Sequence, residues 1–161
     1  MSSLPSTGRW QAPESAEADT WTIGGLVTVR ILGLYALTAF GFFLIDFIWL
    51  TIVAQSFYQR HLGSLLREDP IVAAAVAFYL LYLVGVLVFV VLPALEAGSL
   101  GRAIGLGALF GLIAYATFDL TCYALFRGFP TVVVAVDLVW GAVLTASVSA
   151  VGYTAGRWLG F

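Results

Sequence analysis

Residues Tyr115 to Trp140 read YATFDLTCYALFRGFPTVVVAVDLVW. Two apolar segments meet there at Arg127-Gly128-Phe129-Pro130, where glycine allows a reversal and proline opens the next helix. Each segment carries one aspartate, Asp119 before the turn and Asp137 after it. A third, Asp46, lies in the first long apolar run. The spacing predicts a hairpin of two membrane spans with a carboxyl inside each.

Composition supports that reading. Of 161 residues 61% are hydrophobic and 10% charged, and the mean hydropathy is +1.02, whereas soluble domains carry roughly 25% charged residues. The net charge of −2 and the lack of a basic cluster argue against a nucleic-acid partner. All seven basic residues are arginine. The single Cys122 excludes an intrachain disulfide and any cysteine-based zinc motif. It reads as a small apolar packing residue.

From this hairpin outward, the chain reads as an all-α, polytopic membrane protein, a four-helix transmembrane bundle with a polar N-terminal tail. Residues 1–25 are expected to form a flexible tail without a signal peptide's basic and apolar regions, with Trp21 at the membrane interface. Residues 26–161 hold spans at about 31–53, 71–92, 103–126 and 131–156, each near the 20 residues that cross a bilayer core. Gln55 to Asp69 alternates apolar and polar residues and reads as a short amphipathic helix in the interface, or as a polar loop. Asp69 and Pro70 are suited to cap and start the second span, and Pro93 to end it. Gly101-x-x-x-Gly105 and Gly107-x-x-x-Gly111 match the small-residue spacing of close membrane-helix contacts, expected here to be intramolecular. Four spans put both termini on one side. Arginines are balanced between the two ends, with Arg60, Arg67 and Arg127 against Arg30, Arg102 and Arg157, so charge does not set orientation. The absence of a signal peptide leans toward cytoplasmic termini.

The aspartates carry the functional expectation. Asp46 and Asp119 each precede the end of a span by about eight residues and Asp137 follows the start of one by about seven, which at 1.5 Å per residue puts all three roughly 10–12 Å inside the same boundary. Asp137 shares a helical face with Gly141, Thr145 and Ser149, and Asp119 with Tyr115 and Tyr123. Small faces turn toward neighbouring helices, so the carboxyls are expected to meet inside the bundle. Ionised together they would repel, so they need a proton, an arginine or a cation. The candidate acid/base or anchoring residues are therefore Asp119, Asp137 and Asp46. Tyr79, Tyr82 and Tyr115 are candidate donors. Trp49 and Trp140, from two Asp-x-x-Trp sequences, are candidate apolar walls, and Arg60, His61 and Arg127 a candidate rim. Each has a plainer reading as a packing, anchoring or surface residue.

No nucleotide-binding, hydrolase or paired Cys/His motif is present, so no cofactor or metal is expected. Oxygen ligation of Mg²⁺, Ca²⁺ or Mn²⁺ by the three aspartates is chemically conceivable.

Asp46-x-x-Trp49, Phe57 to Gly63 (FYQRHLG), Phe78 to Tyr82 (FYLLY), Ala108 to Leu120 (ALFGLIAYATFDL), Arg127 to Pro130 and Asp137-x-x-Trp140 together resemble a known family. It is the family of small four-span bacterial membrane proteins classed as domain of unknown function two-one-seven-seven. The likeness covers about Leu34 to Val151, and the polar extension Met1 to Thr22 lies outside its usual pattern. The resemblance implies a multi-pass protein of the bacterial inner membrane and no established activity. Its members' genes lie near fatty-acid-modifying genes, which hints at lipid chemistry. The chain is thus expected to bind or modify a lipid or other hydrophobic molecule, with membrane lipid and a homo-oligomer or membrane-protein partner as its company. Proton- or cation-coupled transport and a purely structural subunit are the alternatives, and the sequence leaves open whether it is an enzyme.

Overall fold

The computed structural model describes the backbone of residues 14–63 and 65–161 and the side chains of 24–63 and 65–161. Residues 1–13 of the expected tail and the side chain of Trp21 lie outside the described residues. Among those described, every regular element is helical: α1 (Glu14–Trp49), a π-helical segment (Leu50–Ala54), α2 (Gln55–Leu62), α3 (Val72–Val86), a second π-helical segment (Leu87–Val91), α4 (Leu92–Glu96), α5 (Leu100–Leu125) and α6 (Thr131–Trp158). Four stretches among them are long and apolar enough to cross a membrane: Gly24–Leu62, Val72–Glu96, Leu100–Leu125 and Thr131–Trp158.

The chain divides into two units, Met1–Leu32 and Gly33–Phe161. The described part of the first is the opening of α1, helical from Glu14. There Thr28 donates its hydroxyl to the Gly24 carbonyl at 2.9 Å, the local bond that lets a polar side chain stay on an apolar helix. The second unit holds the rest of α1 and every other helix.

Two expectations about the spans are corrected within that unit. The first span does not stop near Val53. Its backbone stays right-handed helical through the π segment into α2, which forms over the first half of the stretch expected to be a short amphipathic helix. Its partly buried Phe57, Tyr58 and Leu62 pack on Cys122, Phe129, Val133 and Val134 at the α5–α6 turn. Nor does Pro93 end the second span. A proline lacks an N–H and its ring crowds the carbonyl four residues earlier, here Phe89. That carbonyl belongs to the second π segment, where Leu92 N–H bonds back to the Leu87 carbonyl. The wider turn absorbs the proline and the helix runs on to Glu96. At the other end α3 starts at Val72 with Ile71 as its N-cap and no side-chain cap bond, so Asp69 and Pro70 remain in the preceding loop.

The α5–α6 hairpin forms as expected. Gly128 takes φ +81°, a left-handed conformation that a side chain would strain. Pro130 caps α6, and its carbonyl accepts from Val133 at 3.0 Å. The two helices then pack closely along their length. The contact is glycine-to-glycine: a Cβ on Gly111 would collide with the Gly141 carbonyl and the Thr145 hydroxyl, and one on Gly107 would stand 2.6 Å from Ser149 Oγ. The second small-residue pair of the sequence is therefore an intramolecular contact. The first is not part of it, for Gly105 has open space around its Cα.

Behind this seam lies the core. Leu144 and Val148 of α6 join Leu83 and Val86 of α3, Val91, Ala94 and Leu34 in one buried cluster. α3 and α5 diverge around it. The second span's backbone approaches α5 closely through Leu87–Val91 and α4; along Val72–Val86 it is more distant and is bridged by side chains at Gly85 and Tyr82, which meet Phe110. The separation leaves a cleft beside the inner half of α5, and the candidate site lies in it.

Candidate functional site

The cleft holds a cavity of about 410 Å³ lined by Phe78 of α3, by Ala114, Tyr115, Phe118 and Asp119 of α5, and by Asp137 of α6. Asp119 is the unusual member. It is only 1% exposed, and its carboxyl oxygens meet no hydrogen-bond donor among the described residues other than a proton shared with the neighbouring Asp137 carboxyl. Buried polar atoms are nearly always bonded, and an orphaned carboxyl inside an apolar medium is among the costliest groups a fold can hold. Packing does not explain it, since a leucine would fill the position without that cost.

Asp137 stands beside Asp119 and is held differently. The Tyr58 hydroxyl donates to its Oδ1. Tyr58 lies in the Phe57–Gly63 motif but was not among the candidate site residues. It lies twelve positions beyond Asp46, a third of a turn off the Asp46 face in an unbroken α-helix at about 100° per residue. The π segment between them turns through less angle per residue, which swings α2 back until Tyr58 faces α6. A sequence count at helical spacing has no means of seeing that change of phase.

The three aspartates do not all converge. No three Asp, Glu, His or Cys side chains gather at one point among the described residues. Asp46 accepts from the Tyr79 hydroxyl at 3.1 Å. The Trp140 indole N–H approaches it from α6 without reaching hydrogen-bond geometry. Equal depth was the sequence argument, and depth does not fix the direction in which a side chain leaves its helix. The result is a pair, Asp119 with Asp137, and a separately tethered Asp46.

The remaining candidates divide the same way. Tyr115 lines the cavity and lays its ring on Gly141, where a Cβ would collide with it. Tyr82 does not reach a carboxylate. Its hydroxyl lies 2.6 Å from Thr145 Oγ1, and Thr145 gives its own proton to the Gly141 carbonyl at 2.7 Å, so Tyr82 is the donor. Trp49 and Trp140 stack on each other, centroids 4.2 Å apart and planes within 9°. They border a separate apolar groove of about 320 Å³ along α6 rather than the wall beside Asp119. The rim is not assembled: Arg60 and Arg127 are exposed, and neither they nor His61 are hydrogen-bond partners of the aspartates. His61 Nδ1 lies 2.8 Å from the Phe57 carbonyl of its own helix and its ring rests on Phe57. Phe78, Ala114 and Phe118 enter the lining because α3 splays from α5, a separation that carries no sequence signal.

The two tyrosine bonds differ in what their loss leaves behind. Tyr58→Phe strips Asp137 of its tyrosine donor and is expected to cost about 1–3 kcal/mol. Tyr82→Phe leaves Thr145 still bonded to Gly141 and should cost under about 1.5 kcal/mol. Reversible unfolding of both variants in detergent micelles measures the order. Equal losses would mean that the Tyr58 bond does not hold Asp137.

Among known proteins, the family model described as a predicted membrane protein, DUF2177, matches residues 31–154. No curated protein and no solved structure matches the chain.

Proposed function

We propose, from the premise that the chain belongs to the DUF2177 family of predicted membrane proteins, that it binds a hydrophobic molecule drawn from the bacterial inner membrane and anchors or modifies that molecule's polar group at Asp119 and Asp137. One observation carries the reading: a fully buried carboxyl, with no donor among the described residues beyond a proton shared with the Asp137 carboxyl, borders an otherwise apolar-walled cavity within the membrane-spanning part of the chain. Intramembrane carboxyls of this kind mark sites by default, because a merely structural one would find a donor. Asp46 fits that structural description better, with Tyr79 bonded to it, and its role here is to tie α1 to α3. A cavity of about 410 Å³ suits a small amphiphile or the head of a larger lipid. Asp119 and Asp137, as neighbours in unlike surroundings, are suited to acid/base work on a bound polar group as well as to anchoring it.

The test is native mass spectrometry of the full chain released from membranes. Wild type is expected to retain a small-molecule or lipid adduct that Ala114→Trp, which fills the cavity, and Asp119→Ala both lose. Leu81→Trp, on the outer side of α3 and 73% exposed, keeps it. An adduct held equally by all four proteins, or by none, would sink the reading.

A further inference from the structure

We propose that the cavity selects a lipophilic ammonium ion over neutral and anionic amphiphiles. The inference rests on the reading above and names the polar group that its ligand must carry.

The reason is the balance of donors and acceptors. Asp119 and Asp137 offer four oxygens between them; the one donor from another side chain that reaches these is the Tyr58 hydroxyl on Asp137, and the two carboxyls otherwise face each other. Against these the lining supplies a single side-chain donor, the Tyr115 hydroxyl. The chain has no lysine, and Arg60 and Arg127 stand exposed. The amides around Asp119 and Asp137 lie mid-helix in α5 and α6, where they are used by the helix itself. A fatty carboxylate or a phosphate would therefore meet like charge with no counter-charge. A neutral hydrocarbon would leave Asp119 unsatisfied. A protonated or quaternary amine balances the single negative charge of a carboxyl pair that shares one proton, and a protonated one also donates to it.

A second feature, independent of the carboxyls, agrees. Phe78, Tyr115 and Phe118 supply aromatic walls, and cations settle over aromatic faces, more strongly when desolvated. Phe78 and Phe118 are also 52% and 63% exposed, so the cavity opens sideways between α3 and α5, where an amphiphile in the lipid phase would enter.

The experiment is calorimetric titration of the full chain in maltoside micelles, with protein-free micelles as the blank. Three probes of matched shape are used: benzyltrimethylammonium, neopentylbenzene, which replaces its nitrogen by carbon, and phenylacetate. The ammonium is expected to bind at least about ten-fold more tightly than neopentylbenzene, and phenylacetate not to bind. Asp119→Asn should weaken the ammonium by about ten-fold or more and leave neopentylbenzene within about two-fold. Phe118→Ala, at an exposed position that tolerates truncation, should weaken the ammonium roughly three-fold, which keeps the proposal testable if the Asp119 variant does not fold.

An ammonium can come from a free amine or from an aminolipid head. Repeating the titration in nanodiscs of galactosyl diacylglycerol, with and without phosphatidylethanolamine, separates the sources. Competition by phosphatidylethanolamine identifies the lipid head, and unchanged affinity identifies a free amine. If neopentylbenzene or phenylacetate binds as well as the ammonium, or Asp119→Asn changes nothing, the ammonium proposal is overturned while a hydrophobic ligand stands. If Ala114→Trp leaves binding of every probe intact, the cavity is not their site and both readings fall.

Discussion

Gly111→Ala should be the most damaging single-methyl change in the protein, costing about 3 kcal/mol or more and lowering the yield of folded material in membranes. The added Cβ would fall on the Gly141 carbonyl and the Thr145 hydroxyl. Backbone cannot swing aside as a side chain can, so α5 and α6 must separate, and overpacking of this kind costs about 1–3 kcal/mol and sometimes more. Separation would also break the Thr145–Tyr82 bond that links α6 to α3. Gly105→Ala, one and a half turns earlier on the same helix, meets open space. It should be neutral or stabilising by up to about 1 kcal/mol through lost backbone entropy. Thermal melts of the two variants in micelles decide the matter. A Gly111 variant that melts like wild type would mean the hairpin seam is looser than the structure has it.

Asp119→Leu is expected to do the opposite and raise stability, by about 1–3 kcal/mol, while abolishing ligand retention. No hydroxyl or N–H among the described residues donates to Asp119, so its removal strands no donor. It relieves the cost of a carboxyl in the span, about 2.5–3.5 kcal/mol on insertion scales, and the repulsion from Asp137. Asp46→Leu and Asp137→Leu differ in sign, because each strands a tyrosine hydroxyl, Tyr79 or Tyr58. Each should lose about 1–3 kcal/mol. A residue that destabilises the fold it sits in is the expected mark of a site. The informative outcome is the sign: if Asp119→Leu destabilises as much as Asp137→Leu, the carboxyl is structural and the functional reading fails.

How much of this was legible in the sequence follows from what each argument needed. The hairpin turn needed only Gly128 and Pro130, whose backbone preferences are local. The Gly107–Gly111 contact needed only a spacing, although that spacing also fits Gly101–Gly105, and only packing tells the two apart. Pro93 misled because a helix ends at a proline unless a π turn makes room, and nothing in Leu87–Val91 announces one. Tyr58 was overlooked for the same reason, since a π turn of five residues lies between it and Asp46.

The sequence by itself determined the four long apolar helices and the turn between the last two, and it carried the expectation that Asp46, Asp119 and Asp137 share a depth. Those are lengths along a chain, and a fixed rise per residue converts count into depth. The tertiary structure decided which carboxyls share a cavity and which is tied off by a tyrosine. That depends on the rotation of each helix about its axis and on the gap between α3 and α5. Rotation is set by π turns and by glycine seams against neighbouring helices, where a shift of a fraction of a turn carries a side chain from the cavity to the lipid.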